Sequence, residues 1–295
     1  MVRKLVTLDW AMKKILRDKE NFDILEGLLS ELLHEDIVIE EILESETNEE
    51  YEKYKFSRMD FLTKNLAGER VIIEIQYIIE HDYIQRMVHN ISKVITNTIA
   101  QGQAYSNIKK VISVNILYFD FGYVEDFVYH GATHFVGMYK RDTLQLNDEQ
   151  RELYQRELVA EVMPEYYVVK VRHFNDVIID GFTEWMHFLK HGEVLDNMSA
   201  QGLAKAKEVL DIMKMDENER RAYQLHQENV RYETSMHESS YVLGELKGHE
   251  QGVEQEKLNT ARRLLSMNMN IETIANATQL SVGQIMQLKS EHDKE

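Results

Sequence analysis

Two polar residues interrupt an otherwise apolar run, Val71-Ile72-Ile73-Glu74-Ile75-Gln76-Tyr77-Ile78-Ile79. Glu74 and Gln76 are two positions apart, so on a strand they share a face. A run this apolar reads as a strand covered on both sides. A carboxylate buried there is costly unless a cation or several hydrogen-bond donors meet it. A second acid, Asp60, lies in the preceding strand candidate, Lys55-Phe56-Ser57-Arg58-Met59-Asp60-Phe61-Leu62. Carboxylates held close together repel unless a cation sits between them. Mg²⁺ suits such hard oxygens, keeps several waters, and favours one or two carboxylates together with a substrate phosphate.

Whether Asp60 and Glu74 meet depends on the turn between the strands. With Leu66-Ala67-Gly68 as a three-residue loop and Gly68 left-handed, Asn65 faces Glu69 and Asp60 sits opposite Glu74. Opposed residues share a face, with Cβ atoms about 4.5–5.5 Å apart. A two-residue loop would instead put the two acids on opposite faces. By spacing alone, an Asp and a Glu on adjacent strands are ordinary surface or salt-bridged residues; the apolar setting of Glu74 is what singles it out.

The elements that must position these residues follow from periodicity. Residues 9–33 carry apolar side chains at helical spacing, and Asn21 or Asp23 is a candidate cap for a second helix. Ile37-Val38-Ile39 is a short strand candidate, followed by an acidic stretch. Residues 55–63 and 70–79 form a hairpin. Residues 82–100 form a helix with Ile84, Met87, Val88, Ile91, Val94, Ile95 and Ile99 on one side. Val111 to Phe119 is a further buried strand; Phe135–Tyr139 and Tyr166–Val171 suggest later ones, and Phe182–Leu189 a short helix around Trp185. From Gln201 to about Arg263 the chain is polar and helical. Two apolar patches between Ile271 and Leu288 flank Thr278-Gln279-Leu280-Ser281, with Ser281 as a cap. The order gives an α/β class: a mixed sheet flanked by helices, with an extended helical C-terminal region.

Composition sets bounds. One proline, Pro164, leaves long helices uninterrupted. With no cysteine there is no disulfide framework, thiolate zinc site or cysteine nucleophile, which fits a cytoplasmic protein. No signal-peptide core and no membrane-spanning run is expected. A net charge of −17 argues against a sequence-independent basic coat for DNA, since polyanion affinity comes from Lys and Arg. Lys13, Lys14 and Arg17 offer a local basic face, unless they form only a solvated one. No His-Glu-x-x-His, Walker A or dinucleotide glycine pattern occurs. His130, His134, His173 and His187 are scattered and read as structural or surface residues.

At these residues the sequence resembles the Rpn family of recombination-promoting nucleases and transposases, a branch of the PD-(D/E)XK superfamily. The resemblance runs through Leu8-Asp9-Trp10-Ala11-Met12-Lys13-Lys14-Ile15-Leu16, with Met12 where phenylalanine is usual. It continues through Met59-Asp60-Phe61, Val71 to Gln76, Ile84-Gln85-Arg86-Met87 and Gln101-Gly102-Gln103-Ala104-Tyr105. It extends to Met215–Tyr223, the glycine-spaced stretch Gly244–Gly252, and the tail. The resemblance implies a bacterial, metal-dependent DNA endonuclease acting in recombination or transposition, with a restriction-endonuclease-like core. Asp60 and Glu74 would bind Mg²⁺ (Mn²⁺ as substitute), helped by the Ile75 carbonyl. Gln76 stands where the superfamily has lysine; it has no charge and cannot be a strong base. Asp9 is a further acidic candidate, or a helix N-cap or first-turn aspartate, and Lys13 a basic one. The expected layout is a nuclease-like core over 1–175, a short helical connector over 176–200, an extended polar helical segment over 201–263, and a small helix-turn-helix-like hairpin over 264–295. That hairpin has little basic character, so capping or homo-oligomer assembly is favoured over DNA contact. A nuclease-fold protein that binds DNA or protein without cutting is the competing reading.

Overall fold

The computed structural model describes residues 7, 10–11, 19–43, 61–99, 103–123, 125–211 and 215–292. They build a six-stranded mixed sheet in the order β1-β2-β3-β4-β6-β5. The strands are β1 (Ile39–Leu43), β2 (Phe61–Asn65), β3 (Arg70–Gln76), β4 (Val111–Leu117), β5 (Val128–Gly131) and β6 (Glu165–Lys170). The first three are antiparallel neighbours, while β3, β4 and β6 run parallel. β5 closes the far edge antiparallel to β6.

The β2–β3 hairpin has the register that a three-residue loop requires. Phe61 pairs with Ile73, Leu62 with Ile72, Thr63 with Val71 and Lys64 with Arg70. The Asn65 N–H donates to the Glu69 carbonyl at 3.1 Å, and the Gly68 N–H to the Asn65 carbonyl at 2.9 Å. Gly68 has φ +80°, a conformation that costs glycine nothing. The Asn65 side chain locks the turn, accepting from the Glu69 N–H at 2.8 Å and donating to the Glu69 carboxylate at 2.9 Å.

Both central strands are covered on two faces, and all of β4 is buried. Val71, Ile73 and Ile75, with Ile112, Val114 and Ile116, pack against helix α1 (Phe22–Leu33) and helix α5 (Gly181–His191). On the other face, Ile72 and Val111 meet Ile91 and Val94 of helix α2 (Tyr83–Thr98). The buried stripe of α2 is Tyr83, Met87, Asn90, Ile91 and Val94, at steps of three and four. Ile84 and Val88, expected on that side, are exposed, since each is rotated about 100° from a buried neighbour on a helix with 3.6 residues per turn.

Other boundaries moved for local reasons. The first strand begins at Ile39 rather than Ile37, because α1 side chains capture the preceding backbone. The Ile37 N–H donates to Ser30 Oγ and the Ile39 N–H to Glu26 Oε1, both at 2.8 Å. Phe135–Tyr139 is not a strand of the sheet. Its backbone closes on itself through Gly137 N–H to Asp142 O and Arg141 N–H to Gly137 O, leaving one isolated bridge, Val136 to Thr143. Two short helices that periodicity did not reveal, α3 (Asp148–Tyr154) and α4 (Val159–Val162), precede β6. Helix α6 (Leu203–Val209) lies in the stretch expected to be a polar extension, yet Leu203, Ala206 and Leu210 are buried in the main core with Trp185.

Helix α7 (Glu217–Ser266) then runs for 50 residues. The chain divides into two compact units, Met1–Val230 and Arg231–Glu295. In the second, α8 (Ile271–Thr278) and α9 (Val282–His292) pack with the end of α7 around Ala261, Ile274, Leu280, Ile285 and Leu288. Ser281 Oγ accepts the Gln284 N–H at 3.3 Å, the cap expected for the last helix. Among the described residues, no helix is long and apolar enough to cross a membrane.

Candidate active site

β3 delivers Glu74 and Gln76 to the sheet face that α2 covers, and turns the Ile75 side chain to the opposite core. Glu74 is buried to 1% exposure. Its carboxylate meets α2 directly: Oε1 accepts from Asn90 Nδ2 at 3.0 Å and Oε2 from Arg86 at 3.0 Å. Arg86 and Asn90 are four apart, so both project from one helix face toward the strand. The sequence argument required a cation or several donors at Glu74, and this helix supplies one of each.

Arg86 also donates to Glu80 Oε1 at 2.7 Å. Glu80, in the turn between β3 and α2, accepts from Gln76 Nε2 at 2.8 Å. Gln76 Nε2 additionally reaches the Ile78 carbonyl at 3.3 Å. An ionised carboxylate only accepts, so Glu80 fixes which end of the Gln76 amide faces it. Burial opposes the Arg86 charge, but Glu74 and Glu80 outweigh it and hold the guanidinium above its ordinary value. The result is a linked row of acid, base, acid and amide at the carboxyl end of a parallel strand, where open α/β sheets place their ligand crevices.

The neighbouring strand extends the polar row. Asn115 is the register partner of Glu74 and is itself buried. It accepts from the Tyr83 hydroxyl at 3.1 Å and donates to Ser113 and to the Tyr167 carbonyl. One strand further, Lys170 aligns with Leu117, which aligns with Gln76. Lys170 is 1% exposed, and among the described residues its Nζ has no hydrogen-bond partner. Burial lowers its affinity for a proton, against the opposing pull of Asp120.

Sequence reasoning brought Glu74 and Gln76 to one face correctly, but it missed Arg86, Asn90, Glu80 and Lys170. The signal for the first two was present: polar residues within or beside the buried stripe of an amphipathic helix. Asp60, Asp9 and Lys13 lie outside the described residues.

A family model described as PD-(D/E)XK nuclease family transposase matches residues 6–239. The chain belongs to this family. The PD-(D/E)XK assignment agrees with the mixed sheet, its flanking helices and the long C-terminal helix. It makes a nuclease- or transposase-like function the coarse identity of the chain, and proteins of the PD-(D/E)XK class generally use divalent metals. No curated protein and no solved structure matches the chain.

Proposed function

We propose that this protein is a divalent-metal-dependent endonuclease that hydrolyses DNA phosphodiester bonds in recombination or transposition. The observation that carries the reading is the hairpin register leading up to Phe61 opposite Ile73. This is the register of the three-residue loop on which the pairing of Asp60 with Glu74 was expected to depend. The donors of such a site are the Asp60 and Glu74 carboxylates and the Ile75 carbonyl. They are hard oxygens and fit Mg²⁺, with Mn²⁺ as its substitute. The ion would supply Lewis acidity and a lowered pKa for bound water.

The chain's own groups do the rest. Arg86 and Asn90 fix the orientation of Glu74. Glu80 and the Ile78 carbonyl take the two N–H donors of the Gln76 amide, which leaves its carbonyl oxygen to accept from, and so orient, a water. Arg86 is shared by two carboxylates, Glu74 and Glu80, so the row carries a net negative charge that a divalent cation would offset.

Purified protein should nick plasmid DNA with Mg²⁺ or Mn²⁺ and not with EDTA, and Asp60→Ala should stop it. Cutting by Asp60→Ala at the wild-type rate would sink this site.

One observation favours a second reading, a nuclease fold that binds DNA or a protein partner without cleavage. The Glu74 charge is already matched inside the protein by Arg86. Under that reading DNA is retained in a gel-shift assay, no metal promotes nicking, and calorimetry finds no ion bound at Glu74.

The assembly role expected of the C-terminal helices rests on α7. Among its exposed apolar residues, which also include Leu225, Tyr241 and Val242, the set Tyr232, Met236, Leu243, Leu246 and Val253 recurs at steps of four, seven, three and seven. That is the spacing of a coiled-coil seam, and we assign the seam to a second copy of this chain.

A further inference from the structure

We propose a second metal site, remote in chemistry from the first, in which Asp176, His187 and His191 bind a Zn²⁺-class transition ion. His187 and His191 are one helical turn apart on α5, a spacing that puts two imidazoles on one face. Their ring centroids are 4.6 Å apart. Asp176 lies in the segment between β6 and α5, and its Oδ1 is 2.7 Å from His191 Nε2. One ligand atom from each of the three residues falls within 4.8 Å of the others.

A further observation points to a ligand. His187 Nε2 is buried and, among the described residues, has no hydrogen-bond partner. A buried ring nitrogen without a partner is unfavourable unless something occupies it. Asp176 adopts φ +63°, a left-handed turn conformation that Asp takes more readily than most non-glycine residues. The Asn175 side chain supports that turn by accepting the Val177 N–H at 3.1 Å.

The donor set selects the ion. Two imidazoles and one carboxylate suit Zn²⁺, Co²⁺ or Ni²⁺ rather than Mg²⁺. Three protein ligands leave a fourth position for water. Ligand atoms in such a tetrahedral site stand about 2.0–2.2 Å from the ion and so roughly 3.3–3.6 Å from each other, and the 2.7 Å Asp176–His191 contact must open by about 0.6–0.9 Å on binding. Lys190 shares Asp176, through Oδ2 at 2.8 Å, and is also held by the Phe174 carbonyl at 2.6 Å. It can therefore stay in place while Oδ1 turns to the ion.

The test is a Co²⁺ and Zn²⁺ titration of the metal-stripped full chain. Wild type should take up one equivalent of Co²⁺ with the visible absorption of a nitrogen-ligated ion, and Zn²⁺ should displace it. Ligand loss should weaken binding by at least about tenfold, the lower end of what even supporting residues of metal sites contribute. Because His187 is partly buried, His191→Ala, on the exposed end of the helix, guards against simple misfolding. Glu74→Gln should leave the signal intact, which separates this site from the nuclease reading. Wild type binding Co²⁺ no better than His191→Ala and His187→Ala would overturn the proposal and leave Asp176, Lys190 and His191 as an ion-pair cluster only.

Discussion

Glu74 and Arg86 form an ion pair at 3.0 Å, the carboxylate from the middle sheet and the guanidinium from the first turns of α2. The acid is almost fully buried, whereas the arginine side chain keeps 24% exposure. Removing the base from a buried pair leaves an uncompensated charge and costs about 3–5 kcal/mol. With Arg86 partly exposed, Arg86→Met should fall at the low end, read as a lower midpoint in urea. Adding Glu74→Gln to that variant should recover much of the loss. If Mg²⁺ binds at Glu74, it should also raise the midpoint of Arg86→Met but not of the double variant.

The turn that sets the register has its own signature. A Cβ at Gly68 would meet only Lys109 side-chain carbons, the nearest at 3.7 Å, an ordinary contact. The cost of Gly68→Ala is therefore backbone strain, about 1–2 kcal/mol. Thermal or urea unfolding checks the value, and a loss well above it would mean that the loop is held by more than its conformation.

Lys170 gives a pH test. Burial lowers its folded pKa below the unfolded value of a lysine. Between those two values the unfolded chain binds more protons, so stability rises with pH through that window, and the penalty is complete below it. Lys170→Met should flatten that alkaline rise. It should also stabilise the protein near neutral pH by about 1–3 kcal/mol, the cost of a buried donor without a partner. The same variant reports on function: retained nicking would make Lys170 a bystander on this sheet face.

The α7 seam predicts concentration-dependent association. Leu243→Glu combined with Leu246→Glu should lower the mass measured by light scattering while leaving helix content unchanged. An unchanged mass would remove the seam as an interface.

Much of the central architecture was legible because local rules and tertiary packing agree there. Gly68 fixed the hairpin, and the largely apolar runs at Val71–Ile75 and Val111–Leu117, interrupted only by Glu74, Ser113 and Asn115, marked strands covered on both sides. The misses occur where tertiary partners decide. β5 is a short, mostly exposed edge strand, Val-Tyr-His-Gly, paired with β6 and anchored to the core through Val128 alone of its four residues. Leu203 and Ala206 sit among polar neighbours, and only α1 and α5 make their helix part of the core. At the site, the strand parity of Glu74 and Gln76 could be read directly. Which helix residue would neutralise Glu74 could not, because Arg86 becomes its partner only through the crossover that lays α2 across β3.

The Leu66-Ala67-Gly68 loop also constrains how this hairpin can vary in length. Each residue added or deleted there slips β2 by one and exchanges the two sides of the strand: Phe61 and Thr63 would trade places with Leu62 and Lys64. Tolerated length changes should therefore come in twos, and an odd one should survive only where a compensating bulge restores phase.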